Sequence, residues 1–192
     1  MNEIIKSKLK ESIETKQRIL NDSNILDMIN EVSIMIAETI SKGGKLVLCG
    51  NGGSASDALH FAGEIVGRFK KERKAWPAIV LNSDVATMTA IANDYGYDEV
   101  FSRQVEGQVT AKDIVIGFST SGNSENIYKA ILKSKEIGAK SVGMLGNNGG
   151  KICDVVDYPI VIPYNVTARI QECHITIVHI ICEIVENILT NC

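Results

Sequence analysis

Short apolar runs alternate with helical segments along most of the chain, and this alternation limits the fold more than any other feature. The runs are KLVLCG, AIVL, DIVIGF, KSVGML and YPIVIP, at residues 45–50, 78–81, 113–118, 140–145 and 158–163. Apolar residues at helical spacing fill most of the intervals, at 54–69, 85–95, 98–109 and 124–137. Continuous apolar strands separated by helices are typical of a parallel sheet covered on both faces. The pattern therefore predicts an α/β fold, a doubly wound five-stranded parallel sheet.

Helices are predicted at both ends of this pattern. Residues 2–41 show two helical stripes of apolar residues, interrupted by NDSN at 21–24, and residues 165–189 form one long apolar helix. No linker divides the chain, so residues 1–192 are predicted to be a single domain. The N-terminal pair has more apolar surface than the sheet needs, which indicates that residues 1–41 form an oligomer interface.

Composition excludes several classes of partner and compartment. The net charge is only −3, which gives no general attraction to nucleic acid. The basic run RFKKERK at 68–74 is interpreted as a solvated loop, and the alternative is an anion site that includes Arg68, the member nearest the preceding helix. No apolar stretch is expected to reach the roughly 18–20 residues of a membrane span. The N-terminus does not have the pattern of a signal peptide. The five cysteines form neither a CxxC nor a zinc-finger spacing, so a reduced, cytoplasmic protein is expected.

Two strand-to-helix turns have the composition of anion-binding loops. They are GNGGSAS at 50–56 and STSGNS at 119–124, each directly after a predicted strand. Helix N-termini at the carboxyl ends of parallel strands offer unpaired N–H groups to anions. Neither turn is a Walker A loop, and the second is rich in hydroxyl groups, so a small phosphorylated metabolite fits it better than a nucleoside triphosphate. The alternative is that these residues only cap helices and form turns.

The remaining candidate catalytic or metal-binding residues are the three histidines and the polar residues near them. His60 and Glu64 lie four residues apart on one helix face, a spacing that suits two metal ligands or a hydrogen-bonded surface pair. Gln171 and His179 are about 80° apart around the last helix, so both can face one cleft. The apolar neighbours of His179 favour a buried core histidine, and His174 is assigned a structural or supporting role.

Four segments together resemble one family. They are CGNGGSASDALHFAGEIVGRFKKER, AIANDYGYDEVFSRQVE, GFSTSGNSENIYKAI and ARIQECHITIVHIICEIVE. In order and spacing they resemble the phosphoheptose isomerases of the SIS, or sugar isomerase, domain superfamily, over essentially the whole chain. The resemblance implies a flavodoxin-like sheet and a cytoplasmic homotetramer with active sites at subunit interfaces. It also implies one zinc ion per subunit and a phosphosugar substrate, with no nucleic acid or membrane partner.

The resemblance also implies the reaction and its residues. The family converts sedoheptulose 7-phosphate to D-glycero-D-manno-heptose 7-phosphate, the first step toward nucleotide-activated heptose for bacterial surface polysaccharide. Its acid/base pair falls on Glu64 and His179, and its metal ligands fall on His60, Glu64, Gln171 and His179. Its substrate contacts fall on Asn51, Gly52, Gly53, Ser54, Glu64, Asn93, Asp94, Ser119, Thr120, Ser121, Ser124 and Gln171. One departure is Ala168, where some members carry aspartate.

Proton removal from carbon needs a carboxylate-type base and a group that stabilises the enediolate oxygen, roles expected for Glu64 and His179. A carboxylate bound to zinc is a weaker base, so Glu64 cannot serve fully in both roles at once.

Two rival functions stay open. One is a non-catalytic SIS protein that binds the replication initiator or senses a sugar phosphate. The other is an SIS enzyme for an arabinose, hexose or amino-sugar phosphate. The destination of the heptose and the identity of the metal also stay open.

Overall fold

The computed structural model describes residues 1–191 and contains the predicted parallel sheet. The strands are β1 (Leu46–Gly50), β2 (Ala78–Val80), β3 (Ile114–Ser119), β4 (Lys140–Gly146) and β5 (Tyr158–Ile162). They are all parallel and lie in the order β2-β1-β3-β4-β5. This is the flavodoxin-like order, so the predicted fold class is confirmed.

Eight α-helices surround this sheet in the described part of the chain. They are α1 (Asn2–Leu20), α2 (Ser23–Ser41), α3 (Gly53–Val66), α4 (Val85–Tyr95), α5 (Ser102–Gln108), α6 (Glu125–Ile137), α7 (Gly150–Cys153) and α8 (Thr167–Thr190). The single helix predicted at 98–109 is wrong, because a 3₁₀ turn at Tyr97–Glu99 precedes α5. The chain bends between them, where Val100 and Phe101 are fully buried and the Ser102 hydroxyl donates to the Glu99 carboxylate over 2.6 Å.

The helices divide into two layers, one on each face of the sheet. On one face, α2, α3 and α8 pack against Leu46, Leu48 and other residues of alternate strand positions. On the other face, α4 to α7 cover a second cluster that includes Val47, Cys49 and Val115. Strand residues that alternate between two buried faces explain why the runs in the sequence are continuously apolar.

One buried carboxylate connects the amino ends of the neighbouring strands β1 and β3. Asp113 is 3% exposed and accepts from the backbone N–H of Lys45 over 2.9 Å, from Lys45 Nζ over 2.7 Å and from the N–H of Thr110 over 2.8 Å. Burial alone raises the pKa of this carboxyl, but these donors outweigh it and hold the pKa below its ordinary value. β1 and β3 therefore start in fixed register, and their opposite ends meet at one place.

The last helix corrects one expectation from the sequence. By length and composition α8 is apolar enough to cross a membrane, although no such stretch was expected. Its apolar residues have another use here, because Cys173, Ile177, Val178 and Ile181 are buried in the core on the sheet. A helix covered on several sides is apolar on several sides.

The N-terminal helix covers part of α8 and leaves its own apolar residues exposed. Ile4, Ile5, Leu9 and Ile13 of α1 are each 56% to 67% exposed.

Cys49, Cys153, Cys173 and Cys182 are free thiols, and Cys192 lies outside the described residues.

Candidate active site

The two polar loops lie side by side at the carboxyl edge of the sheet. One joins β1 to α3 and the other joins β3 to α6, and these two strands are neighbours. From β1 the chain continues to β2 on one side, and from β3 it continues to β4 on the other side. Open α/β sheets bind ligands at such a reversal of strand order. The crevice between the two loops is therefore the candidate site.

The first loop is held tightly against the end of β1. The Asn82 side chain donates to the Gly50 carbonyl over 2.7 Å and accepts from the Gly50 N–H over 3.1 Å. A Cβ at Gly50 would lie 2.4 Å from the Ser54 carbonyl oxygen, and Gly52 has a φ of +55°. Glycine is required at both positions because the backbone turns sharply there into α3.

The second loop carries four hydroxyl groups before α6, two of which are in contact. Ser119 Oγ and Ser124 Oγ lie 2.8 Å apart, and the N–H of Asn123 donates to Ser121 Oγ over 3.1 Å. The predicted phosphate contacts Ser119, Thr120, Ser121 and Ser124 all lie in this turn or at the start of the helix. The N-terminus of the 13-residue α6 adds the positive end of its dipole. The arrangement suits a phosphate bound by neutral donors.

Paired amides join the two loops across the crevice. Asn51 Nδ2 donates to Asn126 Oδ1 over 2.9 Å, and Asn126 Nδ2 donates to Asn51 Oδ1 over 3.0 Å. The hydroxyl group of Tyr97 also donates to Asn51 Oδ1, over 3.0 Å. Neither Tyr97 nor Asn126 was predicted as a site residue. The signal for Asn126 was a polar residue on the buried face of α6, next to Ile127.

Three side chains converge between the C-terminal half of α3 and the middle of α8. His60 Nε2 lies 3.1 Å from Glu64 Oε1 and 3.3 Å from His179 Nε2, and one ligand atom from each residue lies within 4.8 Å of the others. His60 is exposed, whereas Glu64 and His179 are half-buried. The interpretation of His179 as a core histidine is therefore wrong, because its ring faces His60 rather than the sheet. The structure brings the predicted acid/base pair into one cluster.

The donor set of this cluster fits a zinc ion. Zinc prefers imidazole nitrogen and carboxylate oxygen at about 2.0–2.2 Å in a tetrahedron, which places ligand atoms about 3.3–3.6 Å apart. The separations of 3.1 and 3.3 Å around His60 Nε2 are close to that spacing. His60, Glu64 and His179 are therefore the residues that could hold a metal.

Gln171 lies beside the first loop. A Cβ at Gly53 would lie 2.6 Å from Gln171 Nε2, so the carboxamide rests against the first turn of α3. That turn is roughly 10 Å along the helix axis from His60. The proximity of Gln171 to Gly53 accords with its predicted contact to substrate, and its role as a metal ligand stays a prediction.

Asn93 and Asp94 lie near the C-terminus of α4 and are exposed. Asn93 Nδ2 donates to Asp94 Oδ1 over 2.9 Å. Their segment approaches the crevice through Tyr97, whose hydroxyl group reaches the first loop. Their substrate contacts stay a prediction.

Asp57 is a further carboxylate on the helix of His60 and Glu64. Its Oδ2 atom is buried and has no hydrogen-bond partner. Burial raises the pKa of Asp57 to about 6, against the opposing effect of His60. The residue was missed in the sequence, although it lies three residues before His60 and so shares its side of the helix.

His174 has a structural position. Its ring is fully buried, with Nε2 donating to the Leu145 carbonyl over 3.0 Å and Nδ1 unpartnered. Burial lowers its pKa to about 4, and the bond to Leu145 only partly offsets this. The ring is therefore neutral at pH 7 and belongs to the support of α8 on β4.

The basic run RFKKERK is only partly a solvated loop. Arg68 and Glu72 form an exposed pair at 3.7 Å. Arg73, in contrast, is 5% exposed at its side chain and pairs over 3.0 Å with Glu186, which is 2% exposed. The interpretation of the whole run as solvated is therefore wrong at Arg73, because α8 supplies a buried partner that lies 113 residues away.

Comparisons with known proteins agree with this geometry. A family model described as SIS domain matches residues 9–146. The chain is 48% identical over 181 residues to a phosphoheptose isomerase of Helicobacter pylori, covering 94% of this chain and 90% of the relative. It is 52% identical over 152 residues to a phosphoheptose isomerase of Geobacter sulfurreducens, covering 79% of this chain and 80% of the relative.

Solved structures give the same result. A phosphoheptose isomerase from Neisseria gonorrhoeae superposes with a TM-score of 0.91 at 35% identity, covering 97% of this chain and 98% of that one. One from Francisella tularensis superposes with a TM-score of 0.92 at 34% identity, covering 96% and 97%. The likeness in both cases extends over nearly the whole length of the two chains.

Proposed function

The chain belongs to the SIS domain family and, within it, to the phosphoheptose isomerases, and on this premise we propose its reaction. It is an aldose–ketose isomerase that acts on a sugar phosphate in heptose biosynthesis. Its substrate is sedoheptulose 7-phosphate and its product is D-glycero-D-manno-heptose 7-phosphate. The reaction takes place in the cytoplasm and is the first step toward nucleotide-activated heptose for bacterial surface polysaccharide.

One observation carries the proposal. A carboxylate, Glu64, and an imidazole, His179, lie in one cluster within 4.8 Å. The helix that carries Glu64 starts at the crevice between the two polar loops. A base, an acid and a phosphate-type loop are the groups that isomerisation of a phosphorylated ketose needs. Glu64 lies in the last turn of α3, roughly 16 Å along the axis from the loop at its start, so the loop and the acid/base pair that act on one substrate come from neighbouring subunits, at active sites between subunits.

The reaction transfers one proton between neighbouring carbons. Glu64 removes a proton from C1 of the ketose, the electron pair forms the C1–C2 double bond, and His179 gives a proton to O2. In the resulting enediol, Glu64 returns its proton to C2 while O1 gives its proton to His179 and becomes the aldehyde oxygen. Both side chains end in their starting protonation states, so no other reactant is consumed.

The phosphate is bound by the second loop. Ser119, Thr120, Ser121 and Ser124 supply hydroxyl groups, and the start of α6 supplies the N–H groups and the dipole. Asn51, Gly52, Gly53, Ser54, Asn93, Asp94 and Gln171 contact the sugar. The amide pair of Asn51 and Asn126 keeps the two loops at a fixed separation, so the phosphate position sets where the reacting carbons lie.

One zinc ion per subunit fits the cluster of His60, Glu64 and His179. Gln171 is the fourth ligand, and its carboxamide, which lies against Gly53 in this structure, would have to turn toward the cluster to reach the ion. When bound, zinc polarises carbonyl and hydroxyl oxygens. Glu64 Oε1 faces His60, so Oε2 is the oxygen that takes the proton.

The protein is a homotetramer in which residues 1–41 of the single domain form much of the contact. An apolar groove of about 390 Å³ lies between α1, α2 and α8 and is lined by Ile13, Leu20, Ile29, Ile177 and other residues. The outer face of α1 exposes Ile4, Ile5 and Leu9 beside it. Apolar surface of this extent is typical of protein–protein contacts, and a second copy of the same helices is its occupant.

The test is turnover of sedoheptulose 7-phosphate by the purified protein, with and without a chelator. We expect Glu64→Gln and His179→Gln to lower kcat by about 100-fold or more, the usual effect of losing an acid or base group. Glu72→Gln is the matched control, because that side chain is 92% exposed. Chelation should lower kcat, and zinc should restore it.

Two results would refute the proposal. One is turnover near that of the wild type in both variants. The other is binding of the sugar phosphate by the wild type without isomerisation, which would indicate a non-catalytic SIS protein.

A further inference from the structure

The loop after α3 is anchored by one buried carboxylate of α8. Glu186 is 2% exposed. Its Oε1 accepts from the N–H of Phe69 over 3.2 Å and from Arg73 Nε over 3.0 Å, and its Oε2 accepts from the N–H groups of Lys70 and Lys71 over 2.8 Å each. A buried charge is tolerated only when its hydrogen bonds are satisfied. Here four donors satisfy it, and all four come from residues 69–73.

Arg73 connects this anchor to the turn that carries Glu64. Its Nη2 donates to the Glu64 carbonyl over 2.9 Å, and its Nη1 donates to the Ile65 carbonyl over 3.0 Å. The guanidinium also lies 3.5 Å from the centre of the Trp76 ring. The last carbonyls of a helix have no partner within the helix. Arg73 supplies donors to two of these carbonyls and so fixes the last turn of α3.

Phe69 connects the same anchor to His179. Its ring stacks on the imidazole, with ring centres 5.7 Å apart and planes inclined by 27°. Glu186 lies seven residues after His179, two turns further along the same face of α8. The Glu186 carboxylate therefore holds the backbone of Phe69, while the Phe69 ring packs against His179 two turns earlier on α8.

We propose that Phe69, Arg73 and Glu186 form one positioning unit for the acid/base pair. Glu186 anchors the loop, Arg73 fixes the backbone at Glu64, and Phe69 fixes the ring plane of His179 so that Nε2 faces His60. None of the three touches the reacting atoms. The inference rests on the proposed function, which assigns the roles of Glu64 and His179.

The test compares four single variants and one double variant in the 192-residue chain. Phe69→Leu keeps apolar volume and loses the flat face, whereas Phe69→Tyr keeps the face. Glu186→Gln keeps the shape of the anchor and loses its charge. Glu183→Gln is the matched control, because Glu183 also lies on α8 and also pairs with this loop, at Lys70 over 2.8 Å, but is 48% exposed.

The expected result is a loss of kcat without loss of affinity. Phe69→Leu and Glu186→Gln should lower kcat by about 10- to 100-fold with KM within about twofold, the effect of a small misplacement of reacting groups. Phe69→Tyr and Glu183→Gln should stay within about threefold of the wild type. Because the residues act as one unit, Glu186→Gln should cost less in the Phe69→Leu background than alone.

A second measurement does not depend on the reaction. The protein has three histidines, so ¹³C-labelled imidazoles are readily assigned by NMR in the metal-free protein. The rings of His60 and His179 have centres 5.0 Å apart, and a nuclear Overhauser effect between them should be present in the wild type and Phe69→Tyr and lost in Phe69→Leu.

The proposal is overturned if Phe69→Leu retains both kcat and this ring contact, or if Glu186→Gln lowers the melting temperature while the folded protein keeps the kcat of the wild type. Absence of turnover in the wild type would instead refute the proposed function. The nuclear Overhauser effect between His60 and His179 would then be the measurement that tests whether Phe69 positions His179.

Discussion

Acid should destabilise the fold through His174, and replacing this residue should remove that sensitivity. The ring is fully buried between α8 and the sheet, edge-on to Phe118 with ring centres 6.0 Å apart, and Nε2 donates to the Leu145 carbonyl. A proton on Nδ1 would find no acceptor there, since that atom has no partner. His174→Gln is the informative change, because its amide can still donate to Leu145 and it does not titrate.

The size of the effect follows from the pKa difference between the folded and unfolded states. Burial lowers the pKa of His174 from 6.5 to about 4 in the folded protein. The unfolded chain therefore binds a proton at a higher pH than the folded chain, and stability falls as the pH decreases from 6.5 to about 4. A difference of about 2.5 units corresponds to roughly 3 kcal/mol, all of it present above pH 6.5 and lost below pH 4.

The assay is urea unfolding of the wild type and His174→Gln between pH 7.5 and pH 4, at one protein concentration and with chelator present. The variant loses the ring's packing, so it should be less stable at pH 7.5 by a constant offset of about 1–3 kcal/mol. Asp57 acts in the opposite direction, because burial raises its pKa to about 6 and stability through it rises on acidification. Since Asp57 is present in both proteins, its contribution cancels in the difference.

The stability of the wild type relative to the variant should therefore fall by roughly 3 kcal/mol from pH 7.5 to pH 4, from about 1–3 kcal/mol in favour of the wild type to about zero or in favour of the variant. A difference that stays constant over this range would show that the His174 ring is solvated or paired in the folded protein, and the reasoning from burial would be refuted.

Three further predictions concern the backbone and the crevice. Gly122→Ala should destabilise the protein by about 2–4 kcal/mol in urea unfolding, because φ is +68° and a Cβ would lie 2.1 Å from the Gly149 carbonyl oxygen; a change below 0.5 kcal/mol would contradict this. Gly107→Ala, in α5 with open space around it, should instead stabilise by about 0.5–1 kcal/mol, and a loss of stability would argue against the geometry of that helix. Tyr97→Phe removes one of the bonds to Asn51 and should raise the KM of the sugar phosphate about two- to tenfold with little change in melting temperature; an unchanged KM would separate Tyr97 from the site.

The alternating pattern of the sequence was sufficient for the sheet, because buried strands and amphipathic helices leave periodic signals. The run predicted at 45–50 is a strand at Leu46–Gly50, and the run predicted at 158–163 is a strand at Tyr158–Ile162. The break at Tyr97–Glu99 was not predictable, since the bend depends on where Val100 and Phe101 find room in the core. Local spacing does not contain that information.

The candidate site was partly predictable for the same reason. His60 and Glu64 are neighbours on one helix, so their proximity follows from spacing alone. The position of His179 beside His60 depends on how α8 packs on α3. The apolar neighbours of His179 in the sequence predicted a core position instead. The pairing of Arg73 with Glu186 joins residues 113 apart and leaves no periodic trace in the sequence.

Most sides of α8 make different contacts, and this limits the amino-acid substitutions that the helix tolerates. One side fills the core with His174 and Ile177, another bears His179 and Glu186, and a third contributes Ile180 to the groove with α1. α6, in contrast, has an exposed side at Lys135 and Glu136. In a library of all single substitutions, α8 should tolerate few replacements outside exposed positions such as Glu183 and Asn187, whereas α6 should accept many along one stripe. Neutral substitutions should therefore accumulate more slowly in α8 than in α6.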